Sequence, residues 1–304
     1  MSDAAATTPR SDLRSIRVML YVPADRARMV AKAQRLDADA VILDLEDAVA
    51  PDQKDEARRA GLAAALDWPL DGPDLWIRVN ACGTPEGAED LRSLVGSGLR
   101  SVVLPKIDAM AAEALTETLG ELGRTGDNLR VIGLVESARG LVDAPRLARR
   151  LPQLVGLQLG AEDFTADMDI ERTAEGEEIR YARSALAVAA TAQGLSAIDT
   201  PITEYRDLEV VRRDARIARR AGFTGKACIH PAQIGTVVAE FSPSAEEIDH
   251  AQRVVEAFAA CRRHGHGATS VDGRMVDAPV AERAAALLAR SRADTHSPQR
   301  KEAH

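Results

Sequence analysis

The chain has 304 residues, 45% hydrophobic and 28% charged, which is the composition of an ordinary globular protein and leaves room for one barrel domain of about 250 residues. A net charge of −8 with only two Trp, three Tyr and four Phe argues against a nucleic-acid partner, and the apolar runs fall short of the ~18 residues that span a membrane. Cys82, Cys228 and Cys261 share no motif spacing, so reduced thiols in a cytoplasmic protein are expected.

The first 14 residues carry acids, small residues and a proline without the apolar segment of a secretory signal, and predict a flexible tail. The first strand is expected at 16–22 (IRVMLYV), ending at Pro23 and Ala24, with helical spacing in the following DRARMVAKAQRL. A second at 40–45 (AVILDL) ends in Glu46 and Asp47 and precedes QKDEARRAGLAAAL, again helical. Further strands are expected at 75–79, closing on Arg78 and Asn80; at 101–105, before Lys106; and at 130–135, before Glu136. The last three are expected at 155–160, before Glu162 and Asp163; at 195–199, ending in Asp199; and at 226–230, ending in His230 and Pro231. After them come a helix from about Ala245 to Arg262, a glycine-bearing stretch RRHGHGATSVDG suited to a mobile connection, and a final helix with Asp277 as N-cap and Pro279 in its first turn.

Eight strand–helix repeats with continuously apolar strands predict a (β/α)8 TIM barrel over 15–262, followed by a C-terminal helical extension over 263–304. In such barrels the active site lies at the C-terminal ends of the strands, which explains why an otherwise apolar strand runs into acids at Asp44, Glu46 and Asp47. A ring of carboxylates with one arginine and one lysine at the same mouth is a candidate site. Glu136 and Asp163, from adjacent strand ends, suit a hard cation such as Mg2+; the spacing alone leaves open that one of them only pairs with Arg78. Zinc is disfavoured because the six histidines form no ligand-spaced pair there. Arg78 offers a planar fork for a carboxylate or a developing oxyanion, with a structural pair to Glu46 or Asp47 as the alternative. Lys106 sits among acids that would raise its pKa, which works against imine chemistry.

The motifs LYVPA, DAVILDLEDAV, RVN, VVLPKI, GLVESARG, LGAEDF, YARSALAVAA, AIDTPITEYRD, GFTGKACIHPAQI and VDGRMVDAPV occur in order along nearly the whole chain. In them the chain resembles the citrate lyase beta-subunit-like coenzyme A ester lyases of the HpcH/HpaI aldolase grouping. The resemblance implies a Mg2+-dependent homotrimer or hexamer that cleaves or forms a carbon–carbon bond beside a coenzyme A thioester, yielding a 2-oxoacid such as glyoxylate or pyruvate. It implies Glu136 and Asp163 as metal ligands, Arg78 as a substrate-binding residue, and Asp277 as an acid or base inserted into a neighbouring subunit; Glu46 and Asp47, at the same mouth, join Arg78 and Asp277 as candidate catalytic residues. It maps coenzyme A contacts onto Tyr21, Arg28, Lys32, Lys54 and Arg58.

Two positions depart from the family pattern. Ala24 replaces the usual glycine after LYVP, which would add strain if φ were positive there, and Ser137 replaces the usual threonine while keeping a hydroxyl. Three other activities fit the same resemblance: a metal-dependent aldolase acting on free 4-hydroxy-2-oxoacids, a malyl-CoA thioesterase, and a non-catalytic citrate lyase beta-like subunit.

Overall fold

The computed structural model describes residues 13–122 and 129–296. Residues 1–12 of the expected tail and 297–304 of the expected extension lie outside the described residues. Contacts divide the chain into two compact units, one up to Val238 and one from Ala239 onward, where the sequence predicts a boundary at 262/263.

In the first unit all eight expected strands form: β1 Val18–Pro23, β2 Ala40–Asp44, β3 Asp74–Arg78, β4 Ser101–Leu104, β5 Arg130–Val135, β6 Leu154–Leu159, β7 Ser196–Asp199 and β8 Gly225–Cys228. Each pairs in parallel with the next, and β8 returns to β1 through Val18 and Lys226, so the sheet closes into the expected (β/α)8 barrel with no free edge. Four of the helices between strands start at side-chain caps. Thr84, Asp108, Ser137 and Asp207 each accept a backbone N–H from the first turn that follows.

Because successive strand residues alternate sides, one parity of each strand fills the barrel. Met19, Ala40, Ile42, Trp76, Val103, Ile132, Leu134 and Ile198 form this interior core, and Leu13 and Ile16 join it from the segment preceding β1. Leu13 is therefore a core residue rather than part of a tail. Glycine makes its place: a Cβ on Gly156 would come within 2.7 Å of the Leu13 side chain.

The opposite parity faces the helices, and there the structure corrects one expectation. Asp199 does not join the ring at the mouth. It is fully buried in a quartet with Lys226, Arg183 of the helix Arg180–Ala192 and Asp214 of the helix Leu208–Ala221. Lys226 Nζ lies 2.6 Å from Asp199 and 2.5 Å from Asp214, while Arg183 forks onto Asp199 at 3.0 Å and reaches Asp214 at 2.6 Å. Two cations and two anions cancel, which is the condition under which charge survives burial.

In the second unit the helix Ala245–Arg263 opens with a capping box from Ser244 and Glu247. The stretch read as a mobile connection is a hairpin instead: β9 Thr269–Val271 pairs antiparallel with β10 Arg274–Val276. Its turn residues Asp272 and Gly273 have φ of 51° and 75°, both positive as a two-residue hairpin of that hand requires. Arg253 grips both oxygens of Asp272 at 2.7 and 2.8 Å and fixes the hairpin to the helix. Asp277 caps the helix Ala278–His296, its Oδ1 accepting the Val280 N–H at 3.2 Å.

The quartet sets a pH dependence. Burial pushes the Asp214 carboxyl up, but Lys226 and Arg183 outweigh it and bring its pKa from 3.8 to about 2. A depressed carboxylate contributes stability that is present above the unfolded value and lost as pH falls through the folded one, here between about 4 and 2. Asp214→Asn is expected to flatten the slope of unfolding free energy against pH in that window; an unchanged slope would mean that the quartet does not hold Asp214 ionised.

Candidate active site

The mouth is organised by a pair of adjacent strand-end residues, Asp44 on β2 and Arg78 on β3, which stand in register. Arg78 donates from Nε to Asp44 Oδ1 at 2.7 Å and from Nη2 to Oδ2 at 2.6 Å. The same carboxylate accepts the backbone N–H of Glu46 at 2.9 Å and of Ala48 at 3.2 Å, so it also shapes the loop beyond β2. Lys54 completes that loop by donating to the carbonyls of Leu45 and Glu46. The remaining fork nitrogen, Arg78 Nη1, lies 3.0 Å from Glu46 and 3.1 Å from Asp47. Burial works against the guanidinium charge, and the Asp44 hydrogen bonds with the surrounding acids more than restore it, raising its pKa. Beneath it lies the Tyr21 ring, 5.1 Å from the guanidinium carbon. Tyr21 donates its hydroxyl to buried Gln158, and burial raises its pKa.

Glu46 and Glu136 form the next layer. Glu46 is buried, and its Oε1 accepts from Lys106 Nζ at 2.9 Å. Its Oε2 is buried beside Arg78 without an aligned hydrogen bond, which leaves an acceptor facing the cluster. Burial raises the pKa of Glu46 against the opposing pull of Arg78 and Lys106. Glu136 follows β5, is buried, and accepts the Lys106 backbone N–H at 2.8 Å. Burial, then the charge of Glu46, then that of Asp163 push its pKa up to about 8, against the opposing Lys106 amide and Arg78.

Asp163 stands half-buried in the first turn of the helix Ala161–Asp167 after β6 and is close enough to contribute to that repulsion. Gly160, just before this helix, is what admits Glu136: a Cβ there would fall 2.5 Å from the glutamate Cγ. The donor set is two carboxylates whose mutual repulsion helps raise the pKa of Glu136, and a divalent cation would relieve that repulsion. Among the described residues no three His, Cys, Asp or Glu converge as a metal cage. Such a site leaves most of an octahedral shell to water and substrate, which fits Mg2+.

The structure brings Arg78, Glu46, Asp47 and Glu136 together with Tyr21, and sets Asp163 beside them. Of the five residues mapped to coenzyme A, three, Tyr21, Lys54 and Arg58, are engaged by other protein groups. Arg28 and Lys32 are exposed on or beside the helix Ala27–Ala33. Arg58 is buried, with Nε on Asp90 at 2.6 Å and Nη1 on Asp55 at 2.7 Å, while Asp90 also accepts from Asn80. Tyr21 and Lys54 are occupied as described. Ala24 does not adopt a left-handed backbone, and a Cβ on Gly61 would meet its methyl at 3.4 Å, so the substitution adds packing rather than strain. Ser137 caps the helix after β5 through its hydroxyl.

Two residues of the site were not singled out from sequence, Gln158 as the partner of Tyr21 and Gly160, and Asp44 was read there as an acid at a strand end without its role as the anchor of Arg78. Strand parity carried the signal for Asp44, since it follows the interior residues Ala40 and Ile42 at steps of two.

The family described as HpcH/HpaI aldolase/citrate lyase matches residues 17–231. A citrate lyase subunit beta-like protein of Mycobacterium tuberculosis is 39% identical over 90% of this chain and 94% of its own length. A (3S)-malyl-CoA thioesterase of Cereibacter sphaeroides is 34% identical over 86% of this chain and 89% of its own. Among solved structures, CitE from M. tuberculosis in complex with magnesium, acetoacetate and coenzyme A superposes with a TM-score of 0.77 at 39% identity, covering 91% of this chain and 99% of that one.

Arg58 separates a structural role from a ligand role. Arg58→Ala strands Asp90 in the interior, and the expected cost is about 3 kcal/mol in urea unfolding, the range seen when one partner of a buried pair is removed. Wild-type stability with weakened coenzyme A binding would instead make Arg58 a ligand contact.

Proposed function

Because the chain belongs to the HpcH/HpaI aldolase/citrate lyase family, we propose that it is a Mg2+-dependent carbon–carbon lyase acting on a 3-hydroxyacyl-CoA thioester of the malyl-CoA or citramalyl-CoA type. The observation that carries the reading is Arg78 itself. Two of its nitrogens are locked by Asp44, and the third points between two acids beside Glu136.

Glu136 and Asp163 would hold the metal, which supplies Lewis-acid stabilisation of negative charge on substrate oxygens. Arg78 Nη1 exchanges its acidic partners for the substrate carboxylate and sets the orientation of the C3 hydroxyl. Glu46 Oε2, buried and lacking an aligned donor, takes the hydroxyl proton as the C2–C3 bond breaks. The hydroxyl carbon becomes the ketone or aldehyde of a 2-oxoacid, and the bonding electrons pass to the thioester as its enolate. A proton returned to C2 completes acetyl-CoA or propionyl-CoA; Asp277 of a neighbouring subunit in a trimer or hexamer is the donor in this reading. Arg28 and Lys32, both exposed, are the cations available for coenzyme A phosphates.

Malyl-, methylmalyl- and citramalyl-CoA, each with Mg2+, are expected to release glyoxylate or pyruvate without free thiol. Chelation, Glu136→Ala and Asp163→Ala are expected to abolish that release, and Arg78→Lys to lower kcat/KM roughly 100-fold, nearly as far as Arg78→Ala, because an ammonium cannot reproduce the fork. Thiol release with the 2-oxoacid absent would overturn the lyase reading in favour of thioester hydrolysis, the activity named for the C. sphaeroides relative.

The role of Asp277 is tested by complementation. Mixing inactive Asp277→Ala subunits with inactive Glu136→Ala subunits under exchange conditions is expected to restore part of the activity. No recovery, with exchange demonstrated, would leave Asp277 as the helix cap alone.

A further inference from the structure

Lys106 stands at the mouth without a role in the reaction so far, yet it touches both halves of the site. It follows β4 and Pro105 with φ of +50°. The left-handed region is disfavoured for any residue with a Cβ, and among the described residues only two other non-glycines occupy it, Asp169 and Asp272. Aspartate has a short polar side chain that helps it tolerate this conformation; lysine has none.

What holds Lys106 there is its successor. Ile107 is fully buried, and its N–H donates to the Leu134 carbonyl of β5 at 3.0 Å. Two glycines make room for this turn. A Cβ on Gly140 would lie 2.5 Å from the Ile107 carbonyl oxygen, and one on Gly133 would lie 3.1 Å from the Ile107 side chain. The unfavourable backbone is thus imposed by packing, as is common where strain is retained at a functional site.

The conformation aims two donors in different directions. The backbone N–H goes to Glu136 Oε2 at 2.8 Å, and Nζ goes to Glu46 Oε1 at 2.9 Å. Glu46 in turn faces Arg78. One residue therefore spans the carboxylate proposed to hold the metal and the carboxylate that backs the substrate-binding arginine.

We propose that Lys106 is a positioning residue with two separable functions: its left-handed amide orients Glu136 for the divalent cation, and its ammonium holds Glu46 against Arg78 for the 2-oxoacid. This inference rests on the metal-site reading above. The ammonium keeps Glu46 from rotating toward Glu136, and the amide satisfies one Glu136 oxygen so that the other is presented to the ion.

The test uses the full chain with Mn2+ and pyruvate as probes, binding being measured by calorimetry. Lys106→Asn and Lys106→Gly accept the left-handed backbone and keep the amide while losing the ammonium. Both are expected to leave Mn2+ affinity near wild type and to weaken pyruvate binding to the Mn2+-loaded protein about tenfold, the worth of one charge-assisted hydrogen bond. Lys106→Val is β-branched and resists positive φ, so the amide turns away from Glu136; Mn2+ affinity is expected to fall about tenfold or more, as for other groups that orient a metal ligand. Should the valine variant not fold, the split between the two affinities in the asparagine and glycine variants decides.

Equal Mn2+ affinity in valine and asparagine variants would overturn the amide function, and unchanged pyruvate binding in asparagine and glycine variants would overturn the ammonium function. A proportionate loss of both affinities in all three variants would reduce Lys106 to a structural residue. Absence of Mn2+ binding in the wild type, or its persistence in Glu136→Ala, would strike the metal-site reading and not Lys106 in particular.

Discussion

Everything at the mouth of this barrel depends on the buried ion pair between Asp44 and Arg78. Both side chains are almost wholly removed from water, at 3% and 10% exposure. Desolvating two charges costs as much as their attraction returns in most proteins, so such a pair is weak evidence for stability. Its value lies in direction. With both oxygens of Asp44 engaged by the fork and by two backbone amides, the guanidinium cannot rotate, and its third nitrogen has one place to point. A lysine or an unanchored arginine would supply the same charge without that direction.

From this anchor the remaining groups follow as a chain of opposite charges: Arg78 to Glu46, Glu46 to Lys106, and the Lys106 amide to Glu136. Each acid is buried deeply enough to resist ionisation, and each is paired with a donor that opposes this. Glu136 has the least compensation, since it meets the charges of Glu46 and Asp163, and its pKa rises to about 8. An excess of negative charge in a dry, preorganised setting is what a hard cation satisfies. The second charged cluster, around Lys226, shows the contrast. There the charges are matched two against two and face the helices, and no capacity for a ligand remains.

The barrel was legible in the sequence because each strand is a continuous apolar run bounded by turn residues, and all eight runs became strands within two residues of their expected ends. The positions of Glu46, Arg78 and Glu136 were legible for the same reason. What escaped was which way side chains point. Asp199 ends a strand, as Glu136 follows one, but it sits one residue after interior Ile198 and so faces the helices. Asp44 was visible as an acid in an apolar strand, yet its role needs the register with Arg78, a pairing that belongs to two strands and not to one. Burial was equally hidden: Arg58 reads as a surface cation in a helical stretch until Asp90, 32 residues later, folds against it. The hairpin at 269–276 carried a readable Asp-Gly turn signal between the short strands TSV and RMV, and its glycines and small neighbours read instead as a linker.

The central claim is that Asp44 acts on the reaction through Arg78, and a double-mutant cycle on 2-oxoacid release from malyl- or citramalyl-CoA tests it most directly. Asp44→Asn, Arg78→Lys and the double variant would each be measured with Mg2+ saturating. If Asp44 works by aiming the fork, its loss costs little once the fork is gone, and the double variant is no slower than Arg78→Lys alone. Effects that multiply would show that the two residues contribute independently and would contradict the account.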